Sequence, residues 1–251
     1  MLPPTRTGFE ETLAAVADVE GWMTDAQAQR LWDRALHVTP GGRIVEIGSF
    51  RGRSSIVLAR AAAGDVEVVA IDPHAGTDRG PQEITTTAAH GNADHDAFVA
   101  NLSRAGVADR IRHVRRTSQE AGSEVAGPVD LLYIDGAHRF APARADIREW
   151  GRRVAVGGTM LIHDSFSSVG VTAAIATELL ATRRFRYAGR AGSLAEYRRE
   201  ELDTRARLAN AARQLAELPY FVRNLLVKVL IVLRLRPLTR LLGNRTGEWP
   251  Y

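Results

Sequence analysis

Short apolar runs alternate with segments of helical periodicity along most of this 251-residue chain, and this alternation limits the fold more than any other feature. Five runs are separated by helix-like segments, which favours a parallel sheet covered by helices on both faces. Two further runs are joined by Arg-Ala-Gly, which predicts an antiparallel hairpin at one edge. The seven strand-like runs are residues 43–48, 66–72, 111–116, 129–135, 157–164, 184–189 and 193–198. The sequence therefore predicts an α/β fold with a doubly wound, mostly parallel seven-stranded sheet.

Helix-like segments connect these runs. They cover residues 54–64, 94–106, 119–125, 141–154 and 170–182. Asp94 is a candidate cap for the second of them. A further helix is predicted over 24–37, where Thr24 and Gln27 have the spacing of a capping box. We therefore divide the chain into an N-terminal helical segment (1–39), a central sheet domain (40–198) and a basic helical extension (199–251).

Cysteine content and charge exclude several classes of protein. The absence of cysteine excludes disulfides and thiolate chemistry and fits a reducing cytoplasm. The first residues have no long apolar core of a secretory leader, so we expect a cytoplasmic protein. Residues 199–251 carry ten basic and five acidic residues, whereas residues 1–198 carry 23 and 24. A nearly neutral body argues against nucleic acid as a partner.

Polar residues follow the apolar strands, at the edge where open α/β sheets bind ligands. The stretch "VEIGSFRGRSS" (45–55) places Gly48 and Gly52 where the backbone can approach a ligand closely. Phe50 occupies the position of the second glycine of a dinucleotide fingerprint, so a pyrophosphate could not come near. Asp72 ends the next strand, where a carboxylate can accept hydrogen bonds from both ribose hydroxyls. These features predict a site for a nucleoside without a polyphosphate.

Several motifs, in this order, resemble those of class I S-adenosylmethionine-dependent methyltransferases. "VEIGSFRGRSS" is similar to their first motif, Asp72 to their ribose-binding acid, and "TSQE" (117–120) to the adenine-contacting segment of the catechol O-methyltransferase type. "YIDGAH" (133–138) and "GGTMLIHDS" (157–165) resemble that branch's two metal-carrying strand ends. The stretch "IDGAHRFAPARADIREW", followed by "GGTMLIHD", also resembles a bacterial subfamily that includes macrocin-type sugar O-methyltransferases and cephalosporin-hydroxylase-like proteins. The resemblance implies an S-adenosylmethionine-binding methyltransferase domain over 40–198.

The resemblance also implies which residues bind the cofactor. Glu46, Gly48 and Ser54 would hold the methionine end, although Ser54 could also cap its helix. Asp72 would bind the ribose, and Ser118 with Gln119 the adenine edge. The complete expected set is Glu46, Gly48, Phe50, Gly52, Ser54, Asp72, Ser118, Gln119 and Asp135.

Methyl transfer to a hydroxyl needs a base, a cation or both, since an alcohol is a poor nucleophile before its proton leaves. Asp135 and Asp164 end neighbouring predicted strands and could share Mg²⁺. His163 is a candidate third ligand, and Ser165 stands where the catechol branch has Asn. The expected catalytic residues are Asp135 and His138, with His138 as general base where that branch has its lysine. The alternatives are carboxylates held by loop amides, a His138 that caps the next helix and a His163 that forms only buried hydrogen bonds.

Residues 73–93 form a polar stretch too long for a simple connection, which is typical of a lid. His74, Asp78 and His90 are the candidates in it to contact an acceptor. The alternative is a surface excursion without a role in binding.

The stretch "LPYFVRNLLVKVLIVLRLRPLTRLLGNR" (218–245) has six basic residues and no acid. Its apolar run 229–233 is too short to span a bilayer, and Pro237 should end or kink a helix. The stretch could pack on the domain or on a second subunit of a homo-oligomer, or it could lie on an anionic membrane surface. Because its charges do not gather on one face of a helical wheel, packing on protein is the favoured interpretation.

Together these patterns predict an S-adenosylmethionine-dependent O-methyltransferase, assisted by Mg²⁺, that methylates a hydroxyl of a sugar, oligosaccharide or glycoside. The sugar is implied by the subfamily resemblance, and the residues themselves indicate only a hydroxyl-bearing acceptor. A catechol-type phenol is the nearest rival acceptor, less favoured because residues 73–93 contain no aromatic ring to stack on it. The sequence is also compatible with a glycolipid enzyme at the inner face of the membrane and with a cofactor-binding protein that does no catalysis.

Overall fold

The computed structural model describes residues 8–76, 87–244 and 249–250. The strands are β1 (Arg43–Ile47), β2 (Glu67–Ile71), β3 (Ile111–Val114), β4 (Val129–Ile134), β5 (Val154–Ile162), β6 (Phe185–Ala191) and β7 (Leu194–Arg199). They form one seven-stranded sheet in the order β3-β2-β1-β4-β5-β7-β6. The first five strands are parallel, and β7 runs antiparallel to both β5 and β6. The fold class predicted from the alternation of apolar runs is confirmed.

Helices cover both faces of the sheet. They are α1 (Phe9–Val16), α2 (Asp25–Leu36), α3 (Arg53–Ala61), α4 (Ala88–Arg104), α5 (Ser118–Ala121), α6 (Phe140–Gly151), α7 (Val169–Glu178), α8 (Thr204–Leu215) and α9 (Leu218–Val232). Apolar side chains of α1 to α4 form one core cluster with one face of the sheet. Those of α5 to α7 form a second cluster with the other face. Two buried layers on a parallel sheet explain why its central strands are mostly apolar.

Strand β1 shows how the sequence divides its residues between the two layers. Ile44 belongs to the cluster of α1 to α4, whereas Val45 and Ile47 belong to the other. Successive side chains of a strand point to opposite faces, so Glu46 points with Ile44 toward α3. There it accepts hydrogen bonds from two serine hydroxyls of α3.

The order of the strands fixes where a ligand can bind. β1 pairs with both β2 and β4, because the chain moves outward from β1 to β3 and then returns to the other side of β1. The carboxyl ends of β1 and β4 therefore border a crevice at the topological switch point. The loops that follow β1, β2, β4 and β5 all lie at this edge.

Helix α4 differs most from the prediction. It begins at Ala88 rather than at Asp94, and the Thr87 side chain caps it by accepting a hydrogen bond from the N–H of His90. Asp94 is not a cap: it is buried inside the helix and pairs with Arg51. The first turn of α4 is exposed and has no apolar stripe, so hydrophobic periodicity could not reveal it. Residues 88–93 of the stretch predicted as a lid are therefore helical.

Other boundaries shift by a few residues. Strand β5 begins at Val154, and α6 ends at Gly151, so the predicted helix over 141–154 runs three residues too far. The capping box of α2 is confirmed, since Thr24 and Gln27 bond each other's backbone N–H. Helix α9 ends at Val232, before Pro237, which lies in a short 3-10 helix, Arg236–Leu242. None of the helices described is long and apolar enough to cross a membrane.

Candidate active site

The loop between β1 and α3 passes very close to the end of β4. Gly48 has φ 87°, and a Cβ built on it would lie 2.3 Å from the carbonyl oxygen of Asp135. A side chain is therefore excluded at this position by both backbone conformation and space. Phe50 also has a positive φ, of 44°, which costs conformational energy for a residue with a side chain. The loop is held in a shape that brings its backbone to the crevice.

Glu46 organises this loop from behind. Its buried carboxylate accepts hydrogen bonds from the hydroxyls of Ser54 and Ser55, at the start of α3. Burial opposes ionisation and raises the pKa of Glu46 to about 7, although the two serine hydroxyls act in the opposite direction. Glu46 and Gly52 do not line the cavity, whereas Gly48, Phe50 and Ser54 do. The structure thus places Glu46 behind the loop between β1 and α3 and not at the cavity wall.

Asp72 joins the loops that follow β1 and β2. Its two carboxylate oxygens accept backbone hydrogen bonds from Phe50, at 2.8 Å, and from His74, at 2.7 Å. Each carboxylate oxygen has a further lone pair, so the same group can also accept hydrogen bonds from a diol. Asp72 lines the cavity.

The cavity is also lined by a buried acid that the sequence analysis missed, Asp146. Ser118, which starts α5, donates its hydroxyl to the carboxylate of Asp146 on α6. Burial raises the pKa of Asp146 to about 6, against the opposing effect of this hydrogen bond. Trp150 Nε1 donates to the carbonyl of Ser118 at 3.1 Å, which fixes the segment that carries Gln119. Asp146 and Trp150 are four residues apart on one helix face, a spacing that could have indicated their common role.

Two carboxylates and two imidazoles meet where β4 and β5 end. His163 Nδ1 lies 3.1 Å from Asp135 Oδ1, and His138 Nε2 lies 3.1 Å from Asp164 Oδ2. The hydroxyl of Tyr133 donates to the other oxygen of Asp135 at 2.8 Å. Asp164 has φ 55°, a left-handed conformation that is strained for a residue with a side chain. The structure thus brings Asp135, His138, His163 and Asp164 together, as the sequence analysis expected.

The charges in this cluster shift the pKa values of its histidines and of Asp135. Burial alone would lower the pKa of His163, but the Asp135 and Asp164 carboxylates outweigh burial and raise it to about 9. The pKa of His138 is raised for the same reason, again against burial. The two imidazoles hold the pKa of Asp135 well below its usual range, although burial opposes this. Each carboxylate is therefore balanced by an imidazole.

Ser165 does not fit the ligand role considered for it. Its side chain is fully buried, and its hydroxyl donates to the carbonyl of Ile162 at 2.8 Å. The hydroxyl closes the turn after β5 and is turned away from Asp135. Within residues 8–76, 87–244 and 249–250, no three His, Asp or Glu side chains are arranged as a preformed metal site.

The residues proposed to contact an acceptor from 73–93 have different positions. His74 is buried, and its Nε2 lies 2.8 Å from the carbonyl oxygen of Phe50, so its ring supports the loop after β1. His90 is exposed on α4 and does not line the cavity. Asp78 lies outside the described residues.

The segment before α2 forms a wall that sequence reasoning did not find. Glu20 to Met23 line the cavity, and the Trp22 ring lies 5.3 Å from that of Phe50. Arg51 ties this segment to α4, because it pairs with both Glu20 and Asp94. The cavity enclosed by these walls has a volume of about 260 Å³ and extends from Thr117 to His138. No local motif marks such a wall, since it forms only when the chain folds back on the sheet.

The strand order, the glycine loop and the position of Asp72 define the fold of the class I methyltransferases. Comparison with known proteins agrees: residues 45–165 match the family described as "Methyltransferase domain". Residues 45–165, from β1 to just beyond β5, thus match a methyltransferase domain, and the resemblance predicted from the motifs is confirmed.

Individual relatives support the same assignment. Catechol O-methyltransferase from Mycobacterium tuberculosis is 31% identical over 124 residues, which cover 49% of this chain and 47% of that protein. The chain thus spans about half the length of this curated relative. Cofactor-bound Rv0187 from MTB is 22% identical, with a TM-score of 0.56 over 76% of this chain and 89% of that one. The O-methyltransferase NovP is 14% identical, with a TM-score of 0.58 over 77% and 89%. These two structures share the fold.

Proposed function

We propose that the chain is an S-adenosylmethionine-dependent O-methyltransferase in which His138 takes the proton of the acceptor hydroxyl. One observation carries this proposal: a single cavity joins the Gly48 loop and Asp72 to His138. His138 is in turn paired with Asp164 at 3.1 Å. A protein that only bound the cofactor would need the Gly48 loop and Asp72, but it would not need a base such as His138 in the same cavity.

The chain's residues have two tasks in this reaction. Bound S-adenosylmethionine supplies an electrophilic methyl group. The Gly48 loop and Asp72 would fix its position, and Asp72 is already oriented by the N–H groups of Phe50 and His74. His138 would accept the hydroxyl proton at the ring nitrogen that does not face Asp164, and the Asp164 carboxylate, 3.1 Å from Nε2, would balance the resulting imidazolium.

We also propose that a divalent cation binds beside His138 and assists the reaction. Asp135, His163 and Asp164 do not form a preformed site and would hold the cation only after their side chains move, and the cation would polarise the acceptor hydroxyl. Two buried atoms support this, because Nε2 of His163 and Oδ1 of Asp164 have no hydrogen-bond partner among the described residues. Carboxylates combined with imidazole suit Mn²⁺ or Zn²⁺ better than Mg²⁺, so the Mg²⁺ expected from the sequence is the weaker candidate. Direct titration with Mn²⁺, compared between the wild type and Asp164→Asn, tests the cation independently of activity.

Two acceptor classes remain in competition. A hydroxyl of a sugar, oligosaccharide or glycoside follows from the subfamily motifs and is our first candidate. A catechol-type phenol gains support from the ring pair of Trp22 and Phe50, which lines the cavity. An aromatic wall can stack on a phenol and can also cover the apolar face of a sugar ring. Both classes should therefore be offered to the enzyme.

The test follows tritium from methyl-labelled S-adenosylmethionine into a panel of glycosides and catechols. We expect label in at least one class, and its loss in His138→Ala. Calorimetry should show that His138→Ala still binds S-adenosylmethionine, whereas Asp72→Asn binds it at least tenfold more weakly. Asp65→Asn is the matched control, since Asp65 is exposed at the other end of β2. Binding of the cofactor without transfer to any acceptor would reduce the protein to a cofactor-binding module.

A further inference from the structure

Helix α9 turns its polar side chains toward the protein. Asn224, Val227 and Ile231 are buried, and the Asn224 amide donates to the carbonyl of Phe166 at 3.2 Å. Arg223 donates to the carbonyl of Leu242 at 2.7 Å, and Lys228 donates to the carbonyl of Ser167 at 2.9 Å. Both cationic side chains of α9 thus donate hydrogen bonds to backbone carbonyls of the protein. This explains why the charges do not gather on one face of a helical wheel.

The outward side of this region is apolar. Its exposed large side chains follow helical spacing along α9 and continue through the 3-10 helix after it. We call this set the tail face: Leu218, Val222, Leu226, Val229, Leu233, Leu235, Leu238 and Leu241. Leu233 is 60% and Leu241 84% exposed. A surface helix normally has the opposite arrangement, with apolar residues inward, and a contiguous exposed apolar patch marks an interaction surface.

The charges beside the tail face have one sign. Arg234, Arg236 and Arg240 are exposed between its leucines. No carboxylate pairs with them in the part of the chain that the structure describes, and residues 218–244 contain no Asp or Glu. The partner must therefore present apolar material and negative charge together.

We propose that the tail face binds the surface of a lipid bilayer that contains anionic lipids. Its leucine and valine side chains would enter the boundary between headgroups and acyl chains, and the three guanidinium groups would contact lipid phosphates. The helix would lie in the plane of the membrane surface.

A second copy of the chain is the main rival, and two observations disfavour it. In a two-fold dimer the same patch meets itself, so Arg234, Arg236 and Arg240 would face their own copies with no acid between them. Helix α9 has 15 residues, about two heptads, which is fewer than a coiled coil normally needs.

The test is co-sedimentation of the full chain with vesicles of phosphatidylcholine alone or with about one third phosphatidylglycerol. We expect binding to the anionic vesicles, much weaker binding to the neutral ones, and a loss of affinity as salt rises. Replacing the three arginines (R234Q/R236Q/R240Q) should weaken binding roughly fivefold per residue, on the order of a hundredfold together. Leu226→Glu with Val229→Glu should abolish binding.

Val156→Glu is the matched control, because Val156 is 80% exposed on β5 at the sheet end away from the cavity. All substituted side chains are exposed, so the unfolding temperatures should stay close to that of the wild type. The proposal is overturned if the wild type does not bind anionic vesicles, or if Val156→Glu loses binding as the Leu226/Val229 variant does. It is also overturned if sedimentation velocity shows a dimer that the same Leu226/Val229 variant dissociates, because the tail face then serves a second copy.

Discussion

Replacement of Gly48 by alanine tests whether the closeness of the β1 loop to β4 builds the cofactor site. The new methyl group would meet only backbone, lying 2.3 Å from the oxygen and 2.6 Å from the carbon of the Asp135 carbonyl and 2.8 Å from Gly136 Cα. No side-chain rotation can relieve this contact. The positive φ adds about 1 kcal/mol of conformational strain, and the overlap adds about 1–3 kcal/mol. We expect Gly48→Ala to lower the free energy of unfolding by about 2–4 kcal/mol.

Gly41→Ala separates the two contributions. Gly41 also has a positive φ, of 75°, but a Cβ built there has no atom within 4 Å. It should therefore cost only the conformational part, about 1 kcal/mol. Urea denaturation gives both values, and calorimetry gives the affinity for S-adenosylmethionine, which should fall at least tenfold in Gly48→Ala alone. Equal destabilisation by the two substitutions, with cofactor affinity unchanged, would refute the argument that this contact shapes the site.

Three further outcomes are expected. Because the pKa of Glu46 is raised from 4.5 to about 7, the folded chain binds this proton more tightly than the unfolded one. The free energy of unfolding should therefore fall as pH rises from 4.5 through 7, by roughly 3 kcal/mol at most. Urea denaturation at several pH values should show this dependence in the wild type and not in Glu46→Gln. His138→Ala should lower kcat by about 10²–10⁴-fold while the Kd for S-adenosylmethionine changes less than twofold, and an unchanged kcat would exclude His138 as the base. Trp22→Ala should raise the KM for the acceptor with little effect on the affinity for S-adenosylmethionine. A loss of S-adenosylmethionine affinity with an unchanged KM for the acceptor would instead place Trp22 against the cofactor.

The sheet was predictable because its signals are local. Apolar runs, turn residues and the capping box at Thr24 each act over a few residues, and all of them agree with the fold. The meeting of Asp135, His138, His163 and Asp164 was also predictable, since parallel strands bring their carboxyl ends to one edge of the sheet.

The parts that sequence reasoning missed depend on contacts distant along the chain. Trp22 reaches the cavity because the segment before α2 folds against the loop that holds Phe50. Asp146 belongs to the site because Ser118, 28 residues earlier, donates to it. Arg223 and Lys228 turn inward because backbone carbonyls are available to them, and a helical wheel contains no information about such acceptors.

The hydrogen bonds from α9 to the turn after β5 give the protein a thermodynamic link between two of its surfaces. Asn224 and Lys228 hold the carbonyls of Phe166 and Ser167, and this same short turn contains Asp164, the partner of His138. Whatever displaces α9 therefore changes the free energy of the turn that carries Asp164, the partner of the proposed base. Linkage is reciprocal, so an acceptor that binds more tightly when α9 is engaged must strengthen that engagement by the same factor. If that coupling exists, binding in the cavity and binding at the tail face would each strengthen the other.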